Sequence, residues 1–319
     1  MRSILLLLVG LLIGVVGWLS IPGQYSQKLT AMFSGEGAGE ETTKKEAEKV
    51  VPVEEFLEAN GAVADDVIAA QRTALATSSV DVGFGPQSPR DIESVSGTNT
   101  LAFQNAPAYT QMNLCNIHFH EGAEHKGGQF GRYAGNGNGK GYGTGFVYDG
   151  DLTDAELAPI DYEIGTSKYS KLAPGDTIEL HYVHTTAKIT PGPSLGSCLN
   201  ENIMNPQLRV EAQVFVLVND DSAGDFVELM KVEEVDGFHQ AVNIPNNTGT
   251  PVVYDGSTTG PSYNEVGSPL QVTWSVRPDV IKVSTQSVAN WLSDNPFNED
   301  HAHGVRNLVT NPKLLSPIQ

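Results

Sequence analysis

The segment Asn116-Ile117-His118-Phe119-His120 alternates strictly between polar and apolar side chains. That is the period of a β-strand with one face in a core, because successive side chains point to opposite faces. Asn116, His118 and His120 then share one face, and Ile117 and Phe119 enter the core on the other. A second run, Thr177-Ile178-Glu179-Leu180-His181-Tyr182-Val183-His184, sets Glu179, His181 and Val183 on one face. If the two runs are neighbours in a sheet, His118, His120 and His181 converge on one point. Three neutral imidazoles with a fourth position open are the donor set of a catalytic zinc site. A metal-bound imidazole usually gives its other N–H to a carboxylate, amide or carbonyl, which fixes tautomer and tilt. Asn116 and Glu179, each two residues upstream, are placed to hold His118 and His181 in this way. The other reading of the same residues is three structural histidines satisfied within a core.

Further runs rich in β-branched residues, at 209–218, 226–232, 270–276 and 279–284, are separated by clusters of Gly, Pro, Asn and Asp. This is the strand-and-turn signature. With 33 Gly and 18 Pro in 319 residues, the composition favours a β architecture over a helical bundle. Residues 80–319 read as a β-rich body. A helical pattern at 53–76 (Val53, Phe56, Leu57, then Val63, Val67, Ile68, Leu75) leads into it, so one domain is expected over 51–319. Nine glycines fall between Gly127 and Gly145 without the order of a phosphate-binding loop, since Gly139-Lys140-Gly141 breaks it. That stretch is expected to be a flexible surface excursion.

Met1 and Arg2 precede an apolar run from Ile4 to Leu19, and residues 24–50 are small, charged and without apolar period. A basic start before such a run marks an export signal, either cleaved or kept as a membrane anchor over 1–23. The charged stretch reads as a linker. The body of the chain is then expected outside the cytoplasm, periplasmic or extracellular, where Cys115 and Cys198, the only two cysteines, form a disulfide. Two cysteines exclude a Cys-ligated zinc finger or iron–sulfur site. A net charge of −19 excludes nucleic acid as a partner, because phosphate binding needs a basic field.

His118-x-His120 followed by Glu124 and Gly131 resembles the first motif of cupins, metal oxygenases and isomerases in which Glu124 would be a ligand. The second cupin motif finds no good match near His181 or His303. Four segments in order resemble those of the α-class carbonic anhydrases instead. They are Gly85-Pro86-Gln87-Ser88-Pro89-Arg90-Asp91-Ile92, Asn116 to His125, Glu179 to His184, and Tyr254-Asp255-Gly256-Ser257-Thr258-Thr259 followed by Val272-Thr273-Trp274. The compact spacing His118-x-His120-x-Gly122-x-Glu124-His125, with Cys115 before it and Cys198 after the third histidine, is closest to the δ-class. The third histidine comes far later than in α enzymes, with the glycine-rich excursion between.

The resemblance implies a mostly β fold, a single domain around a large twisted, mainly antiparallel sheet with a few short helices. It implies one Zn²⁺ per chain on His118, His120 and His181, and reversible hydration of CO2 to bicarbonate by zinc-bound hydroxide. In that reading Thr258, or its neighbour Thr259, orients the hydroxide and Glu124 accepts the threonine proton. Val183, Val272 and Trp274 are the apolar pocket for CO2, or else simply core. His239, His301 and His303 are the free histidines able to carry a proton outward, and His125 and His184 are read as structural. A non-catalytic zinc-binding relative is the remaining alternative. The oligomeric state is not readable from the residues.

Overall fold

In the computed structural model, which describes residues 62–94, 97–167, 170–258 and 265–318, the two histidine-bearing runs are neighbouring strands. The strands in chain order are β1 (Asn113–Glu121), β2 (Arg132–Asn136), β3 (Thr144–Val147), β4 (Thr177–Thr185), β5 (Leu208–Val218), β6 (Val232–Val235), β7 (Phe238–Ala241), β8 (Val252–Ser257), β9 (Gln271–Val276), β10 (Ile281–Ser284) and β11 (His303–Gly304). The helices are α1 (Asp65–Ser79), α2 (Phe226–Leu229) and α3 (Thr285–Ser293). Expectations for 1–23, 24–50, the start of the helical pattern at 53–61, and Thr259 lie outside the described residues. Among the described residues no helix is long and apolar enough to cross a membrane.

The fold is mostly β. One seven-stranded sheet runs β11-β1-β4-β5-β9-β8, with β10 also paired to β5. Its longest pairings, β1 with β4 and β4 with β5, are antiparallel, and β8 pairs β9 in the same sense. Parallel pairings add β11 to β1, and give β5 two partners on one edge, β9 along Leu208–Ala212 and β10 along Phe215–Val218. β4 is buried along its whole length, as a strand covered on both faces must be.

The two faces of the sheet carry separate apolar clusters. Ile117, Phe119, Leu180, Tyr182, Phe215 and Leu217 pack with Phe226 of α2 and Trp291 of α3. On the other face lie Val183, Val210, Val214 and Trp274. A bulge between Leu114 and Asn116 interrupts the alternation in β1. Leu114 therefore joins the first cluster with Ile117, while Cys115 joins the second. Cys115 is disulfide-bonded there to Cys198, 83 positions away.

Two expectations are corrected. The run 226–232 opens as the helical turn α2, because the Asp225 carboxylate accepts from the N–H groups of Val227 and Glu228 at 2.9 and 3.3 Å; a strand begins only at Val232. The glycine-rich stretch, expected as a flexible surface excursion, holds its exposed strand β2 in an antiparallel pair with β3. Its inner side is anchored, since Phe146 exchanges backbone hydrogen bonds with Ala123 at 2.7 and 2.9 Å and is 7 % exposed. At Gly137 and Gly141, φ is +54° and +98°, and a Cβ at either would meet a backbone carbonyl oxygen within 2.4 Å, so only glycine passes there.

In α1, Ile68 and Leu75 are buried while Val67 faces solvent. Gln71 ties this helix to the rest, its Nε2 donating to Gly139 O at 2.6 Å and its Oε1 accepting from Asn307 Nδ2 at 2.6 Å.

Candidate metal centre

The β1–β4 register sets His118 directly opposite His181. His120, one pleat further along β1, lies on the same face. The three rings lie 4.8 to 5.3 Å apart, centroid to centroid, and one nitrogen from each falls within 4.8 Å of the others. Each outward nitrogen is held. His118 Nδ1 donates to Asn116 Oδ1 at 2.6 Å, His120 Nδ1 to the Gly304 carbonyl at 3.0 Å, and His181 Nε2 to Glu179 Oε1 at 2.9 Å. Asn116 is held in turn through Nδ2, which donates to Gly192 O at 3.1 Å. With those protons placed, His118 Nε2, His120 Nε2 and His181 Nδ1 keep bare lone pairs toward one another.

His118 Nε2 and His181 Nδ1 face each other at 3.3 Å. Two lone pairs at that distance repel unless something positive lies between them. Burial, then the neighbouring imidazoles His181 and His120, hold His118 well below its ordinary pKa. Burial likewise brings His120 to about 4, with Glu124 opposing. Neutral, oriented imidazole donors of this kind fit a zinc ion, which takes nitrogen ligands and keeps a position open in catalytic sites.

Behind the triad is a buried relay. Glu179, fully buried, accepts from His125 N at 3.1 Å and His125 Nδ1 at 2.6 Å as well as from His181. His125 Nε2 then bonds the Tyr254 hydroxyl, and the Arg90 guanidinium lies 4.6 Å over the Tyr254 ring. Burial alone would raise the Glu179 carboxyl; the His125 charge and the hydrogen bonds from both histidines reverse this and hold it well below the usual range. His125, Glu179 and His181 also approach within 4.8 Å, but their atoms there are engaged with one another.

The triad sits at the floor of a cavity of about 270 Å³. Trp274, Leu195, Pro193 and Phe297 supply apolar surface to it, and Thr258, Glu124, His301 and His303 polar groups. Val183 and Val272 do not line this cavity. Val183 is 1 % exposed, packed in the cluster that holds Leu195 and the Cys115–Cys198 bridge, and Val272 is buried in the same cluster. Among the sequence-predicted pocket residues only Trp274 reaches the cavity. Leu195 and Phe297 carry no local signal, because Leu195 opens a single 3-10 turn, Leu195–Cys198, and Phe297 lies in a turn after α3, both brought in by the fold.

Glu124 is 7 % exposed, its Oε1 accepting from Arg306 N at 3.0 Å and standing 3.7 Å from His120 Nδ1. That nitrogen is the one turned away from the triad, so Glu124 is not part of the converging donor set and the cupin ligand arrangement does not form. Thr258 lines the cavity with its N–H on Leu270 O; among the described residues it makes no hydrogen bond to Glu124. Gln87, in the first of the four resembling segments, braces this region without having been given a role there. Its Nε2 donates to Ser268 O at 3.1 Å and its Oε1 accepts from Ser268 N at 2.8 Å and Ser257 Oγ at 3.2 Å.

His303 donates through Nε2 to Glu299 Oε2 at 2.6 Å and stacks on His301, which pairs with Asp300 at the rim. Burial opposes charge on His303, but the hydrogen bond and charge of Glu299 outweigh it and raise its pKa. His239 lies on β7 away from the cavity. His184 is fully buried, its Nδ1 donating to Tyr182 O at 3.0 Å.

Three converging imidazoles at the floor of a cavity in a mostly β chain define a candidate three-histidine metal site. The family model described as delta carbonic anhydrase matches residues 109–287, and the chain belongs to that family of enzymes. Among solved structures it is similar to an α-carbonic anhydrase from Thermovibrio ammonificans in complex with the inhibitor sulfanilamide, at 16 % identity over 69 % of this chain and 82 % of that one, TM-score 0.24. It is similar also to a halotolerant carbonic anhydrase from Dunaliella salina, at 14 % identity over 72 % and 86 %, TM-score 0.30. The family assignment stands on the family model alone. No curated protein sequence matches the chain.

Proposed function

We propose that this chain catalyses the reversible hydration of CO2 to bicarbonate and a proton, with one zinc ion held by His118, His120 and His181. The observation that carries this reading is the set of three facing ring nitrogens whose partners across each ring are all hydrogen-bonded. When bound, zinc supplies Lewis acidity that brings proton loss from water to near neutral pH. Asn116, the Gly304 carbonyl and Glu179 hold the rings so that no reorientation is needed. Trp274, Leu195 and Phe297 offer an uncharged substrate an apolar wall and keep bulk water from it. Thr258 orients the attacking oxygen, and Glu124, fixed by Arg306 N, is the acidic group behind it. His303 holds a proton at Nε2 against Glu299, and its stacked neighbour His301 opens the way to solvent at the rim.

Stopped-flow CO2 hydration by the full-length chain, with metal analysis of the same sample, tests this. Activity with one zinc per chain, abolished by chelation and restored by zinc, is the expected result. A folded, zinc-loaded and inactive protein would overturn the catalytic reading. The same proposal places the chain outside the cytoplasm, directed by the apolar run from Ile4 to Leu19. The disulfide between the chain's two cysteines supports an oxidising compartment. Fractionation of the host cell, with N-terminal sequencing of the recovered chain, tells export from retention and cleavage from anchoring.

A further inference from the structure

Along β8 and β9 the residues between those facing the histidines point to the opposite side of the sheet. Asp255 and Thr273 are directly paired there. The irregular segment around Phe103 to Ala106 lies over them. Phe103 N donates to the Asp255 carboxylate, and Ala106 N donates to Thr273 Oγ1 at 2.8 Å. Between this segment and Leu199, Pro206 and Leu270 lies a second cavity of about 260 Å³, which shares no lining residue with the histidine cavity.

Asp255 is 7 % exposed, and among the described residues no lysine, arginine or histidine pairs with it. A buried carboxylate left without a countercharge is costly, and a cation in the adjoining space removes the cost. Burial accordingly pushes this carboxyl above its ordinary value, with the Phe103 N–H opposing. The chemistry of the walls selects among cations. A hard metal ion takes six or more oxygen ligands, carboxylates prominent among them, whereas this cavity has a single carboxylate, with the amide side chains of Gln104, Asn205, Gln207 and Gln271 and the apolar Phe103, Leu199 and Leu270 around it. An ammonium head carries three donors, and the Thr273 hydroxyl oxygen keeps a lone pair for one of them. Phe103 and Leu199 suit a short alkyl body.

We propose that this cavity is a binding site for a small organic monocation, a short primary alkylammonium, with its head on the Asp255 carboxylate and its chain against Phe103 and Leu199. The site is separate from the metal centre and stands whether or not the chain hydrates CO2.

Calorimetric titration of the full-length chain with propylammonium, in salt near 0.15 M to screen the acidic surface, tests it. The expected result is saturable binding that Asp255→Asn weakens roughly 10- to 100-fold, with n-propanol binding far more weakly than the amine. Asn205 is exposed and lines the cavity, so Asn205→Trp blocks the opening without disturbing a core, and it too should abolish binding. That variant decides the matter if Asp255→Asn fails to fold. Chelation of metal from the protein should leave the affinity unchanged. No saturable binding at millimolar amine overturns the proposal. So does an affinity that both variants leave intact, or one that chelation abolishes, since either places the amine elsewhere.

Discussion

His118 Nε2 and His181 Nδ1 stand 3.3 Å apart with both lone pairs inward, and that geometry holds only while Asn116 and Glu179 keep the opposite nitrogens protonated. Asn116→Ala should therefore weaken zinc affinity by about 10- to 100-fold, read by competition with a chromophoric chelator, while the fold persists. His181→Ala should lose zinc and activity together. Glu124→Gln should keep zinc and lose most CO2 hydration, because Glu124 lies off the donor set; metal loss in that variant would return it to the ligands. His184 gives a pH prediction independent of the metal. Burial brings it to about 3, so it is neutral when folded and takes a proton in the unfolded chain below the ordinary histidine value. Unfolding thus gains a proton between the two values, and stability falls with falling pH by up to roughly 1.4 kcal/mol per pH unit across that window. Urea unfolding at stepped pH should show a shallower acid loss in His184→Gln.

Among the elements, the segment from Gly192 to Cys198 controls both the wall and the floor of the cavity. It contributes Pro193 and Leu195 to the wall, its Gly192 carbonyl holds Asn116, and its last residue is bridged to β1. Opening the Cys115–Cys198 bridge should cost about 4 to 5 kcal/mol for a loop of 83 positions, measured by denaturant unfolding with and without reductant. It should also weaken zinc retention, because Asn116 loses its brace. The N-terminal helix α1 acts at longer range. Gln71 joins Gly139 to Asn307, the residue after Arg306 whose N–H fixes Glu124. Gln71→Ala should destabilise by about 1 to 3 kcal/mol, read in the same unfolding assay. Local pattern reading found β1 and β4 because a strand's period of two is written in consecutive residues. It missed α2 because a single capping carboxylate at Asp225 redirects a β-branched run. It missed β2–β3 because glycines that make tight turns resemble glycines that make loose loops.

Over the whole molecule, 38 acidic against 19 basic side chains leave a net charge of −19, which repels itself in the folded state. Raising salt from about 0.01 M to about 0.5 M should raise the melting temperature by a few degrees, measured calorimetrically, as screening shortens the range of that repulsion. The strands that carry the histidines, the face each histidine shares with Asn116 or Glu179, and the mostly β class were legible in the residues alone, because they follow from side-chain identity at short, regular spacing; the family was legible only as the resemblance of four motif segments in order. That the Gly304 carbonyl holds His120, 184 positions away, emerges from long-range packing, since a backbone oxygen carries no residue identity. Such packing alone also set the cavity wall, bringing in Leu195 and Phe297 and withdrawing Val183 beneath the disulfide-bridged segment. Which apolar residue faces a cavity and which fills a core depends on what other segments cover it. That covering comes from contacts between residues far apart in the chain, which no local pattern records.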